Sequence, residues 1–190
     1  MILRAISKMF DSDDDSVVLI QEVYDFGMVI VKADFADNKN QELLNSVTGI
    51  VPPKIGKIST GKKLSIGWMA KDEYAIILKK NEAVNLADKI NVAMKKRHVL
   101  CVDMSDSRRC FKLDGKGWRE LLSKGTPADL NPNVLGVGGF RRTRIANVGV
   151  VIWVAGENEV YVFSMYSVGD FILEWLNTAN LKSGKLNYYQ

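Results

Sequence analysis

An internal likeness between its two halves constrains this chain more than any other feature. In the first half, Leu43 and Leu44 stand in a short expected helix before a glycine stop, and Trp68 is followed by Met69-Ala70-Lys71-Asp72-Glu73-Tyr74. In the second, Leu121 and Leu122 hold the matching place, and the run after Trp153 ends in Glu159-Val160-Tyr161. A strand and then a long helix come next in both. We read this as the duplication of an α+β unit of ββαββα type, with residues 1–98 as the first half and residues 99–190 as the second. Two copies are too few for a solenoid, whose stacked units need three or more. Two layered halves packed on each other are expected instead.

Local patterns fill in the unit. β-branched runs at 17–23 and 27–33 flank Asp25-Phe26-Gly27, which has the composition of a hairpin turn. Asn38 or Asn40 is expected to cap a short helix over 41–47, with Gly49 just beyond it and Pro52 and Pro53 blocking continuation. Residues 62–69 and 74–80 read as a second hairpin. Residues 83–97 read as a helix whose buried face is Val84, Ala87, Ile90 and Met94. Lys95, Lys96 and Arg97 close it, where the helix dipole favours positive charge. In the second half, strands are expected at 99–103, 109–113, 142–147, 148–154 and 160–165. A short helix over 117–124 is stopped by Gly125 and Pro127, and residues 131–139 form a glycine-bearing loop. The last helix opens at Ser167, with Asp170 at capping-box spacing, and the polar tail beyond Asn180 is expected to fray.

The totals narrow the function. A chain of 190 residues, 47% hydrophobic, can bury a real core without a disulfide or metal staple. Its 26 basic and 22 acidic residues leave a net charge of +4. That surplus suits docking on an acidic partner and lacks the concentrated basic stripe of a nucleic-acid binder. The longest apolar stretch, 148–155, is far short of the ~20 residues a membrane-spanning helix needs. The apolar part of residues 1–10 is too short for a secretory signal. A cytoplasmic location is the expectation. Cys101 and Cys110 read as buried, reduced, structural thiols; pairing across a hairpin is the alternative, and a reducing compartment disfavours it. His98 is the only histidine, so a zinc site is not expected.

Each motif that invites chemistry has a plainer reading. Gly136-Val137-Gly138-Gly139 lacks the third glycine of the dinucleotide fingerprint, since Arg141 stands there, and it precedes a strand; it reads as a flexible connecting loop. Asp11, Asp13, Asp14 and Asp15 lack the central glycine and closing glutamate of a calcium loop and read as a solvated lead-in. On a strand, Cys101 and His98 point to opposite faces, which rules against a dyad. In Lys124-Gly125-Thr126-Pro127-Ala128-Asp129, Lys124 reads as a helix C-terminal cap, and Asp129 reads as a bond to loop amides in preference to a general base. Arg141, Arg142 and Arg144 form the sharpest basic cluster, with Arg142 and Arg144 pointing the same way. They either protect an exposed edge strand or contact an acidic partner or a phosphate. Arg142, Arg144, Lys124 and Asp129 are therefore the candidate partner interface, and no residue is expected to be catalytic or to hold a cofactor or metal. Trp118, Trp153, Phe171 and Trp175 are more apolar surface than two small halves are expected to bury.

Several blocks carry a resemblance. Val102-Asp103-Met104-Ser105-Asp106 precedes a strand. Leu113-Asp114-Gly115 follows, and then Leu121-Leu122-Ser123-Lys124-Gly125-Thr126-Pro127-Ala128-Asp129-Leu130-Asn131-Pro132. Next come Arg142-Thr143-Arg144-Ile145-Ala146 and a closing helix with Glu174-Trp175-Leu176. In their combined spacing they resemble sarcosine oxidase gamma subunits; Gly67-Trp68 and Asp72-Glu73-Tyr74 fit more loosely. The family loop often reads Lys-Gly-Cys-Pro, and Thr126 stands here at the cysteine position. That counts against a thiol-dependent role, and against the iron–sulfur maintenance proteins, which carry a similar loop.

The resemblance implies a fold like part of the folate-binding aminomethyltransferase domain. It also implies a structural, cofactor-free gamma subunit of a heterotetramer with alpha, beta and delta partners. That complex oxidatively demethylates sarcosine to glycine and passes the one-carbon unit to tetrahydrofolate. Its other subunits hold FAD, FMN, NAD and zinc. The alternative is a stand-alone folate-binding one-carbon transferase or carrier. Such a transferase needs a third, barrel-like domain, for which the residues after Asn180 leave no room on this reading.

Overall fold

The computed structural model describes residues 18–181; the acidic run at 11–15, the start of the first β-branched run and the tail from 182 lie outside them. The first half supplies β1 (Leu19–Val23), β2 (Gly27–Ala33), α1 (Asn38–Thr48), β3 (Ile58–Thr60), β4 (Leu64–Ala70), β5 (Glu73–Leu78) and α2 (Ala83–Ala93). The second repeats the order with β6 (Val99–Asp103), β7 (Arg108–Asp114), α3 (Trp118–Ser123), β8 (Phe140–Ile145), β9 (Val148–Val154), β10 (Glu159–Met165) and α4 (Gly169–Ala179). The fold is α+β as expected; β3 is a strand the sequence did not announce, and β8, expected at 142–147, starts and ends two residues earlier.

The strands form two antiparallel five-stranded sheets. The first has the order β3-β4-β5-β2-β6 and the second β8-β9-β10-β7-β1. Position by position the two orders correspond, and the first strand of each half sits in the other half's sheet. β1 pairs with β7, Val23 opposite Cys110, and β6 pairs with β2, Cys101 opposite Val31. Asp25-Phe26-Gly27 is therefore a crossover between sheets and not a hairpin. Turn composition marks a change of direction, and long-range pairing decides which edge receives the next strand. The same crossover follows β6, through a 3-10 turn at Ser105–Ser107. It places Cys101 and Cys110 in different sheets, both buried and unpaired. Burial pushes the Cys101 thiol up to about 12 and raises that of Cys110 as well, so neither is a thiolate at neutral pH.

The sheets face each other across an inner core that includes Phe26, Met28, Ile77, Cys110, Phe140 and Phe163. The outer face of the first sheet packs on α1 and α2 through Val29, Val31, Leu44, Ile76 and Ile90. The outer face of the second packs on α3 and α4 through Phe111, Trp118, Leu122, Ile172 and Leu176. The layers run helix, sheet, sheet, helix. A strand covered on both faces must be apolar on both, and β2 is buried continuously from Gly27 to Val31. Gly67 is required between the sheets, because a side chain there would sit 2.5 Å from the Phe140 ring.

Local departures have local causes. Asp37, and neither Asn38 nor Asn40, caps α1 by accepting from the Lys39 amide at 2.9 Å. Asn40 is buried and donates to the Asp34 carbonyl. Gly49 ends the helix at φ 69°. α2 buries Ala83, Leu86, Ala87 and Ile90, while Val84 is 61% exposed. It stops at Ala93, so Arg97 lies beyond it and reaches back to Asn40 and Asp37. Ser167 falls in a 3-10 turn and caps nothing.

Trp68 and Trp153 lie on corresponding strands, and each is opposite a tyrosine, Tyr74 and Tyr161. Their faces differ. Trp68 packs on the outer core and Trp153 on the inner one. A one-residue offset along a strand reverses its face, and the register shift between Trp68 and Ala70 sits beside that offset.

Candidate partner interface

The blocks that carry the family resemblance are held in place by specific contacts, several of them with one another. Ser105 accepts from the Met28 amide at 3.0 Å and donates to Asp103, while the Met104 amide donates to the Met28 carbonyl at 2.8 Å. The Val102 to Asp106 block thus pins its crossover to the start of β2. Lys124 donates through Nζ to the Ala179 carbonyl at 2.6 Å, closing the C-terminus of α4. Gly125 lies under Trp175, where an added Cβ would stand 2.2 Å from the ring. Thr126 Oγ1 is 3.0 Å from Thr143 Oγ1, and the Ala146 amide donates to the Gly125 carbonyl at 2.9 Å. Asp129 is exposed and accepts from the Asn131 amide at 2.8 Å, as a loop-shaping aspartate does. The glycine-rich segment is not a loose connector. Ile58 donates to the Gly138 carbonyl and Phe140 to the Gly56 carbonyl, so this segment seams the two sheets together.

Arg142 and Arg144 are exposed on β8, an edge of the second sheet. They share a face with Phe140 and so point to the inter-sheet side. Thr143 between them faces the 124–131 loop on the helix side. The four candidates therefore do not form one surface: Lys124 and Asp129 lie on one side of β8, and Arg142 and Arg144 on the other. Of the apolar candidates, Trp118 is fully buried and donates to the Glu157 carbonyl at 2.8 Å. Phe171 is 46% exposed, and Trp153 and Trp175 are half-buried.

Two arginines escaped the sequence reading. Arg108 and Arg109 are consecutive on β7 and so point to opposite faces, a pattern visible in the sequence itself. Arg109 meets Glu22 in a two-pronged pair at 2.6 and 2.8 Å and Asp170 at 2.5 Å. This clamp ties β1 to β7 and to α4. Its hydrogen bond holds the Glu22 carboxyl below the usual carboxylate range, against the opposing effect of burial. Arg108 points to the inter-sheet side with Cys110. Its Nε is buried without a hydrogen-bond partner, and burial lowers its pKa from the ordinary arginine value. A cleft of about 350 Å³ opens where the two crossovers meet, lined by Tyr24, Lys80, Asp106, Arg108 and Tyr166 among others. Among the described residues, no three of His, Cys, Asp or Glu converge to hold a metal. No helix there is long and apolar enough to cross a membrane.

Comparison with known proteins places this architecture. A subunit of the heterotetrameric sarcosine oxidase from Corynebacterium sp. U-96, solved in complex with pyrrole 2-carboxylate, superposes with a TM-score of 0.85. It is 23% identical, and the match covers 96% of this chain and 93% of that one. The glycine cleavage system aminomethyltransferase T from Bartonella henselae superposes with a TM-score of 0.63 at 13% identity, over 85% of this chain and 45% of that one. Both likenesses concern the fold. In sequence, the sarcosine oxidase subunit gamma of Corynebacterium sp. (strain U-96) is 27% identical over 135 residues, 70% of this chain and 65% of the relative. That of Arthrobacter sp. is 28% identical over 130 residues, 68% of this chain and 63% of the relative. The match spans somewhat under two thirds of these relatives' lengths. Residues 32–182, from β2 past the end of α4, match the sarcosine oxidase, gamma subunit family, and the chain belongs to that family.

Proposed function

We propose that this chain is the structural, cofactor-free gamma subunit of a cytoplasmic heterotetrameric sarcosine oxidase and acts by assembly. The family match across residues 32–182 carries the reading, since its bounds take in most of both halves. In this reading the complex oxidatively demethylates sarcosine to glycine and passes the one-carbon unit to tetrahydrofolate. The alpha, beta and delta subunits carry FAD, FMN, NAD and zinc. Arg142 and Arg144 belong to a partner-facing surface, and Lys124 and Asp129 act on it indirectly by shaping the loop behind β8. Residues 1–98 and 99–190 are two copies of one duplicated unit, and the matching strand orders of the sheets support that division.

The physical role is stabilisation by binding. A protein that binds its partners' folded form, and not their unfolded one, shifts their folding equilibrium by mass action. Co-expression of the large subunits with and without this chain tests it. Without the chain they should be less soluble, less flavinylated or less heat-stable. Full flavin content and full sarcosine turnover without it would overturn the scaffold role. Tight binding of tetrahydrofolate by the isolated chain would replace it with the carrier reading.

A further inference from the structure

The inner face of the second sheet is not wholly covered by the first. Cys110, Phe163 and Val151 lie in register across β7, β10 and β9 and are buried between the sheets. The next row on that face is open. It starts with Arg108 opposite Met165 and ends with Gly149 opposite Arg144. Met165 is 41% exposed, Gly149 and Arg144 are exposed, and a side chain at Gly149 would meet nothing within 4 Å. The row is a shelf with an apolar floor and an arginine at each end, Arg108 on β7 and Arg144, with Arg142 beside it, on β8. Three strand intervals separate its ends, about 14 Å.

The charges of the shelf are unanswered. None of Arg108, Arg142 and Arg144 has an ion-pair partner among the described residues. Glu73 is the carboxylate whose charge reaches Arg108, and it already holds Lys32 at 3.4 Å. Arg142 opposes protonation of Arg108, a repulsion that carboxylates seated between them would relieve. The anchors' strands stand three intervals apart, a spacing that an extended segment carrying two carboxylates matches. A flat apolar floor with an open glycine admits a close main chain, and planar guanidinium forks grip carboxylates two-pronged.

We propose that this shelf seats an acidic, extended segment of a partner subunit, with Arg108 and Arg144 as its two carboxylate anchors. The proposal rests on the subunit reading above and adds the surface and the chemistry of its partner.

The test uses the full chain, tagged and co-expressed with the large flavoprotein subunits, with complex formation measured by affinity capture over a range of salt concentrations. Arg108→Gln combined with Arg144→Gln should weaken association about tenfold or more and flatten its salt dependence. Arg144→Gln alone, at an exposed site, should produce part of that loss with the fold untouched. Gly149→Leu puts apolar bulk into open space, so the isolated chain should keep its Tm while association weakens and the salt dependence stays. If all three variants assemble like wild type at every salt concentration, the shelf is not the seat and the subunit reading stands. If the wild-type chain does not associate with those subunits at all, both fall.

Discussion

Arg109, with Glu22 and Asp170, shows how one side chain settles a strand's address. β1 is five residues long and lies at a sheet edge, so its backbone ladder alone is a weak tether. The two-pronged Glu22–Arg109 pair is largely buried, with side-chain exposures of 14% and 13%. Glu22→Gln should destabilise the chain by about 2 kcal/mol, the scale of a hydrogen bond to a charged group. For a chain of this size that is a fall in Tm of about 4–8 °C, measurable by thermal melting. The same carboxyl, and that of Glu159 held low by its hydrogen bond from Lys112, contribute to the acid limit. A depressed native pKa stabilises fully above the unfolded carboxylate value and is lost as pH falls through the native one. Denaturant melts should therefore be flat near neutrality and weaken below about pH 4.3, the unfolded glutamate value, and Glu22→Gln should blunt that fall.

Gly125 makes a second residue-scale case. An added Cβ would stand 2.2 Å from Trp175, so Gly125→Ala should cost about 1–3 kcal/mol through overpacking. Trp175→Leu should recover part of that loss in the double variant, a non-additivity that a double-mutant cycle reads directly. The sequence shows Gly125 and Trp175 as separate family blocks. Only the fold shows that each explains the other.

At the scale of elements, periodicity and stop signals were informative and pairing was not. The hairpin β4–β5, the helix α1 between its capping region and Gly49, and the strands β9 and β10 are all legible as patterns of apolar and turn residues. The partners of β1 and β6 are not, because an edge strand's neighbour is chosen by contacts far along the chain. The crossovers lead to a prediction about fragments. Residues 1–98 alone lack β6, and residues 99–190 alone lack β1, so each sheet loses an edge and each inner face loses its cover. Neither fragment should give a cooperative unfolding transition by circular dichroism, and mixing them should restore one. Independent, stable folding of either fragment would show that the exchanged strands are dispensable. Phe140→Ala should cost about 3–5 kcal/mol, since the ring fills the space over Gly67 between the two sheets.

At the scale of the whole molecule, the inner core binds the halves into one cooperative unit, so thermal unfolding should show a single transition with coincident probes. Of the two arginines beside the crossovers, Arg109 is answered by Glu22 and Asp170, and Arg108, which stands on the open shelf, is not. By itself the sequence determined the α+β class, the repeat of the unit and the family, because these depend on local periodicity, spacing and the combination of short blocks. Tertiary structure alone decided three things: the exchange of β1 and β6, the opposite faces taken by Trp68 and Trp153, and the isolation of Arg108. Each turns on which backbone edge meets which, and on a one-residue register that reverses a strand's faces. Those choices rest on contacts between residues that lie far apart in the chain.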